Sequence, residues 1–347
     1  MRVAIATVQV PFISGGAEVL AANLKGELER RGHRAEVITM PFKWYPPEKI
    51  LDMMAAARLL DLTEVNGERV DKLVTLKFPM YFTDHPDKTA WLLHQHRQAY
   101  ELFGTPYSDL HLSDAGTLVA AEIRRWDERL LPAHKRVFTL SRTVSERLAR
   151  NVGLASTPLY HPPLGEERYR FEELGDFILY PGRFDPIKRQ HLAVQAMVHA
   201  PRSLRLVLIG PWDNPYGREV AATIERLGLA DRVDLRGPVS EDEKLSLYAR
   251  CLAAYNGVFD EDYGYVTLEA FSARKAVVIH PDAGGPLEFV TDGADGLVVP
   301  ADEHALAAAF ARLHADRALA RTLGEEGHRS LGRKNVTWDH VIESLIA

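Results

Sequence analysis

Short apolar runs rich in β-branched residues alternate with helix-length amphipathic segments along nearly all of this 347-residue chain. That alternation constrains the fold more than any other feature. Consecutive parallel strands need a crossover long enough to hold a helix, so the pattern predicts parallel sheets covered by helices. A strand is expected over 2–8, then a helix from Ala17 to about Arg31 with Ala17, Leu20, Ala21, Leu24 and Leu28 on one face. Further strands follow at 35–38, 73–76, 90–93 and 136–140, with helices over 47–60 and 114–130 and Ser141 placed to cap another.

Residues 157–173 interrupt the rhythm. Pro158, Pro162, Pro163 and Gly165 resist regular structure, and the run 166–170 is strongly charged. The alternation then restarts with strands at 177–180, 204–209, 233–235, 253–255 and 276–279, and the tail beyond Asp302 reads as helical. The expected layout is a Rossmann-like domain over 1–160, a connection at 161–175, a second Rossmann-like domain over 176–330, and a last helix, 331–347, that can pack back on the first domain. A length of 347 residues supports two cores of ordinary size. A net charge of −6 gives no general attraction to nucleic acid or anionic lipid, so any bound phosphate needs locally placed cations. The single cysteine, Cys251, excludes an internal disulfide framework. The start of the chain enters a strand without a basic leader, and no apolar run reaches the ~20 residues of a membrane span. A cytoplasmic protein is expected.

The most informative segment is 261–269, Glu-Asp-Tyr-Gly-Tyr-Val-Thr-Leu-Glu. Tyr265, Val266, Leu268, Ala270 and Phe271 suit a buried helix, so Glu269, one turn inside it, needs a partner to be tolerated. Glu261 lies before the turn, and both acids can face a helix N-terminus that offers backbone N–H groups to an anion. Such a setting suits a ligand with both hydroxyls and phosphates, such as a nucleotide sugar; an acid that merely complements the helix dipole fits equally well. Gly182-Arg183-Phe184-Asp185-Pro186-Ile187-Lys188 follows the first strand of the second half. Arg183 brings a planar fork and Lys188 a compact charge, a good pair for a diphosphate at the carboxyl edge of a sheet, though a solvated charged turn has the same composition.

Together with Gly284-Gly285-Pro286-Leu287-Glu288 and Asp292-Gly293…Gly296-Leu297-Val298, these motifs resemble the donor-binding signature of GT-B glycosyltransferases of family 4, the retaining, nucleotide-sugar-dependent group. The resemblance implies an α/β GT-B architecture, two Rossmann-like domains with parallel sheets facing a central cleft. The first domain would bind the acceptor and the second the donor. It implies donor contacts at Gly15, Gly16, Arg183, Lys188, Glu261, Tyr263, Gly264, Tyr265 and Glu269, with Arg183 and Lys188 on the diphosphate, Glu261 on sugar hydroxyls and Glu269 on the ribose. Tyr263 and Tyr265 replace a phenylalanine and an aliphatic residue common in relatives, which leaves donor-sugar preference open. Glu288 reads as structural.

Residues 92–96, Leu-Leu-His-Gln-His, close a strand of the first half. His94 and His96 share a face there, which suits a metal pair, an orienting role or a plain polar strand end. The resemblance implies a catalytic-site position for His94, beside the transferred sugar, and an acceptor-side position for His96. Asp260-Glu261-Asp262 also reads as a metal-binding triplet, but with Arg183 and Lys188 available no metal and no cofactor are expected. Arg124, Arg125 and Arg129 beside Trp126 could rest on a membrane surface, although interleaved acids favour a solvated face. The expected partners are a nucleotide sugar and a hydroxyl acceptor, without nucleic acid. The expected activity is retaining, hexosyltransferase-type transfer to a saccharide, lipid-linked glycan or small molecule. The alternatives are a phosphorylase, a sugar-nucleotide epimerase or a non-catalytic sugar-binding scaffold.

Overall fold

The structure, a computed structural model, describes residues 1–12 and 15–347. The chain forms two compact units, Met1–Leu164 with Thr337–Ala347, and Gly165–Val336. The first unit runs β1 (Arg2–Gln9), α1 (Gly16–Arg30), β2 (Arg34–Pro41), α2 (Lys49–Leu59), a small hairpin β3 (Glu64–Val65) and β4 (Glu68–Arg69), β5 (Lys72–Thr75), β6 (Lys88–Leu92), α3 (Asp114–Leu130), β7 (Arg136–Thr139), α4 (Arg142–Val152) and β8 (Thr157–Pro158). The second runs β9 (Phe177–Pro181), α5 (Gln190–His199), β10 (Arg205–Ile209), α6 (Pro215–Arg226), β11 (Val233–Gly237), α7 (Glu241–Arg250), β12 (Ala253–Asn256), α8 (Tyr265–Ser272), β13 (Ala276–Ile279), β14 (Gly296–Val298), α9 (Glu303–Ala315) and α10 (Arg317–Arg333). The last helix, α11 (Trp338–Ile346), belongs to the first unit.

Each unit holds one six-stranded sheet, ordered β2-β1-β5-β6-β7-β8 in the first and β11-β10-β9-β12-β13-β14 in the second. Neighbouring strands within both sheets pair in parallel. Strands covered on both faces read as continuous apolar runs, and β13, with Ala276, Val277, Val278 and Ile279 all buried, is one. The second sheet reverses its strand order between β9 and β12, and the first between β1 and β5. In open α/β sheets ligands bind outside the carboxyl ends of strands at such a reversal.

The stretch expected to connect the domains is fastened to the second unit from Gly165 onward. Arg317 donates to the carbonyls of Leu174 and Gly175, and buried Lys275 donates to the Glu172 carbonyl at 2.9 Å. In the first unit α11 seals the sheet face. Trp338 meets Trp91 edge-on at 6.3 Å, Arg31 pairs with Asp339, Lys72 Nζ donates to Ala347 O at 3.1 Å, and Arg136 donates to Ser344 O at 3.0 Å.

Candidate active site

The loops leaving β9 and β12, with α8 after the second, carry the singled-out residues of the second unit, and the loops meet at the strand-order reversal. After β9, Asp185 accepts the Ile187 N–H at 3.1 Å and folds Pro186–Lys188 into a single 3-10 turn. The Tyr180 hydroxyl, at the end of β9, donates to the Lys188 carbonyl and fixes the turn from below. Arg183 stands out from this loop with its side chain 67% exposed, its nearest acid being Asp185 at 3.5 Å. Arg189, next in sequence, turns inward, making a paired contact with Asp282 at 2.9 and 2.7 Å while its guanidinium lies 5.1 Å from the Phe259 ring centroid. Partial burial pushes the Asp282 carboxyl up, but Arg189 outweighs it and holds the acid below its ordinary range. Arg189 is therefore a structural cation, whereas Arg183 is exposed and Lys188 turns to Glu261.

After β12, Glu261 joins the loop between β13 and β14 through backbone bonds, accepting from Gly285 N at 2.8 Å and donating to Ala283 O at 2.9 Å. Its carboxylate pairs with Lys188 Nζ, both side chains being about a quarter exposed (25% and 27%). Two glycines make this approach possible. Gly284, at φ +76, would bring a Cβ to 2.7 Å from Glu261 O, and Gly264, at φ +94, would drive one into Pro286. Gly264 also starts α8.

Glu269 has the partners its burial demands. Lys244 Nζ on α7 donates to Oε1 at 2.9 Å and the Tyr248 hydroxyl to Oε2 at 2.7 Å, leaving the side chain 13% exposed. Burial alone would lower the Lys244 pKa; the charges of Glu269 and Glu241 reverse that and raise it. A second hydroxyl, that of Tyr169, is buried with no hydrogen-bond partner among the described residues, and its pKa is raised by burial first and by the Glu269 charge second. Tyr265 senses both acids; burial raises its pKa most, then Glu269, then Glu261. Tyr263 points into the packing, 3% exposed, with its ring edge-on to Tyr265 at 5.7 Å and to Phe289 at 5.5 Å. Glu288 sits in the short turn Gly285–Glu288. Lys244, Tyr248 and Tyr169 carried no signal in the sequence beyond an ordinary capped helix and a loop tyrosine.

In the first unit Gly15 caps α1 and its N–H bonds Glu18 Oε2 at 2.8 Å, with Gly16 the first helical residue. His94 and His96 follow β6. His94 is half-buried, its Nδ1 at 2.6 Å from Gln95 O. His96 is tilted against Phe78 at 5.0 Å, and its Nε2 is buried without a partner among the described residues. Burial, and secondarily His94, pushes the His96 pKa down to about 3, so it stays neutral at ordinary pH. Among the described residues the one cluster with a metal-ligand donor set is His199, Glu303 and His304, on α5 and α9; none of its members comes from 260–262. No helix among the described residues is long and apolar enough to cross a membrane.

Comparison with known proteins bears on the fold and the family. A D-inositol 3-phosphate glycosyltransferase of Xylanimonas cellulosilytica is 24% identical over 96% of this chain and 91% of its own. An exopolysaccharide phosphotransferase of Streptomyces coelicolor is 32% identical over 58% of this chain, which spans only 22% of that protein's length. The structure of Anabaena HepE in complex with UDP-glucose superposes with a TM-score of 0.71 at 18% identity, covering 99% of this chain and 98% of that one. The chain has the GT-B fold of glycosyltransferases. Residues 166–330, nearly the whole second unit, match the family described as Glycosyl transferases group 1.

Proposed function

We propose that the protein is a retaining glycosyltransferase that moves a sugar from a nucleoside-diphosphate sugar to a hydroxyl acceptor without a metal. The observation that carries this reading is the Lys188–Glu261 pair at the strand-order reversal of the second sheet, with Arg183 exposed in the same loop as Lys188 and Glu269 held on α8. Donor entry would exchange the contact between Lys188 and Glu261 for two better ones. Lys188 and Arg183 would take the diphosphate, and Glu261 would accept from sugar hydroxyls. Glu269, held in place by Lys244 and Tyr248, would accept from the ribose hydroxyls. In the transfer, the bond from the sugar's anomeric carbon to the phosphate oxygen breaks and a bond to the acceptor oxygen forms on the same face. The acceptor proton passes to the departing phosphate. Cations fixed where negative charge develops lower the barrier without giving up a proton. His94 and His96 would line the acceptor side, with Gly15 and Gly16 reaching the donor phosphates. The same reading includes work in the cytoplasm.

The test is calorimetric titration with UDP-, GDP-, ADP- and TDP-sugars in excess chelator, followed by assays for released nucleoside diphosphate. One donor binding at micromolar strength, with slow hydrolysis or transfer and a product of unchanged anomeric configuration, is expected. No binding by any of the four would sink the reading. Free sugar phosphate or an epimerised donor would turn it into the phosphorylase or epimerase alternative.

A further inference from the structure

Directly behind the His94–His96 segment lies a carboxylate without a cation. Asp127, on α3, is 0% exposed. Its Oδ1 accepts from the Tyr81 hydroxyl at 2.9 Å, and its Oδ2 from the Tyr100 hydroxyl and from Gln95 Nε2, each at 2.8 Å. It makes no ion pair among the described residues. The Gln95 amide is fixed from both ends, because its Oε1 accepts from Asn151 Nδ2 on α4 at 2.8 Å. Gln95 lies between the two histidines, and its carbonyl meets His94 Nδ1. Tyr100 is held in turn by Arg124, whose guanidinium lies 5.8 Å from the Tyr100 ring centroid and whose Nε donates to Ala99 O at 2.7 Å. Two helices, the turn at 80–82 and the segment 94–100 thus converge on one acid.

An uncompensated buried charge is costly, and an apolar residue of like size would fill the position more cheaply. We propose that Asp127, acting through Gln95, is a positioning residue that holds the His94–His96 segment in the arrangement needed for transfer. This rests on the acceptor-side reading of that segment.

The arrangement works only with the acid ionised. A carboxylate accepts three donors; a carboxylic acid must donate once, so one of the three partners has to turn. Gln95 cannot turn without losing Asn151, a turned Tyr81 hydroxyl would point its hydrogen into the core, and turning that of half-buried Tyr100 breaks its bond to Oδ2. Burial raises the Asp127 pKa to about 7 against the pull of its three donors, with Glu128 on the same helix adding to the rise. The other charged groups around the network are Arg124 over Tyr100, and the Arg97–Glu101–Arg147 cluster reached from the 97–101 segment and α4. Acidification through neutrality should therefore loosen the segment.

The experiment uses the full chain in two arms. In the first, backbone amide NMR signals of residues 95 and 96 are followed from pH 5.5 to 8.5. In wild type they should titrate together near neutrality; in Asp127→Asn and in Gln95→Met, which keeps the acid but cuts the link, they should not. In the second, transfer is assayed over the same range. Wild-type kcat should fall about tenfold per pH unit below the midpoint with donor KM unchanged, whereas Asp127→Asn should be slow, by about 10- to 100-fold, and flat with pH. Wild-type signals that do not move, or a variant that keeps the wild-type pH profile, would overturn the proposal. Should no acceptor be glycosylated at all, the transferase reading fails and the NMR arm still decides this one.

Discussion

Glu269 and Lys188 are both charged residues in contact with an opposite charge, yet they sit in different situations. Glu269 is nearly enclosed and spans Lys244 and Tyr248, so its orientation is set before any ligand arrives. Lys188 is paired with a carboxylate that has its own expected task. In the proposed reaction the first is a docking post and the second acts on the leaving group. Truncation should separate them. Lys188→Ala should reduce kcat by about 10²- to 10³-fold, the usual scale for losing a preorganised charge at a developing anion. Arg183→Ala should cost only about tenfold, because that side chain is 67% exposed and screened by water. Lys244→Met should instead raise donor KM, by about tenfold, with kcat within threefold, since it acts by orienting Glu269 in ground and transition states alike. Steady-state kinetics with varied donor would check all three, and equal kcat losses at Lys188 and Lys244 would erase the distinction.

At the scale of elements, α8 and the loops around it depend on two glycines that leave no room for a Cβ. Gly264→Ala would combine a positive φ with a collision against Pro286, a strain of about 1–3 kcal/mol if the loop holds and a displaced α8 if it yields. The second unit should then melt earlier and bind donor more weakly, and Gly284→Ala should behave alike through Glu261 O. Thermal melting with and without donor would show it; an unchanged melt would mean the loops absorb a side chain freely. The same elements show what sequence can carry. Alternating apolar runs fixed most strands and helices, because burial on both faces of a parallel sheet leaves few other solutions. β8 and β14 escaped notice: Thr157–Pro158 is two residues long, and Gly296–Val298 reads as part of a glycine-rich close. Spacing brought Lys188, Glu261 and Glu269 into view, since each lies in a local motif. The partners Lys244 and Tyr248 did not stand out, because which face α7 turns toward α8 depends on packing between elements. Asp127 was hidden for the same reason: within Arg-Arg-Trp-Asp-Glu-Arg it looks like one more solvated charge.

Over the whole molecule, the two units differ in how they should respond to acid. The first encloses three histidines whose pKa values are pushed down chiefly by burial, His96 to about 3 and His134 and His161 to about 4. Each is neutral in the folded unit and free to protonate when unfolded, so its stabilising contribution is complete above about pH 6.5 and declines as pH falls toward the folded value. Asp127 works the other way. With its folded pKa raised to about 7, it keeps a proton in the native unit that an unfolded chain would release, and so it opposes the loss. Between about pH 6 and pH 4 the balance is three protons favouring the unfolded chain against one favouring the native, a net slope of about 2–3 kcal/mol per pH unit. The second unit has no counterpart of that size among the described residues; His191 and His280 are lowered there, again chiefly by burial. Acidification should therefore unfold the first unit before the second. Four tryptophans, Trp44, Trp91, Trp126 and Trp338, report on the first unit and Trp212 alone on the second. Replacing Trp212 by Phe gives a fluorescence signal from the first unit only, to be compared with calorimetry of the whole chain. Two calorimetric transitions that separate as pH drops from 7 to 5, the earlier one coinciding with the fluorescence change, are expected. His134→Gln or His161→Gln, neutral at every pH, should each narrow that separation, and a gap indifferent to both would remove the buried imidazoles as its cause.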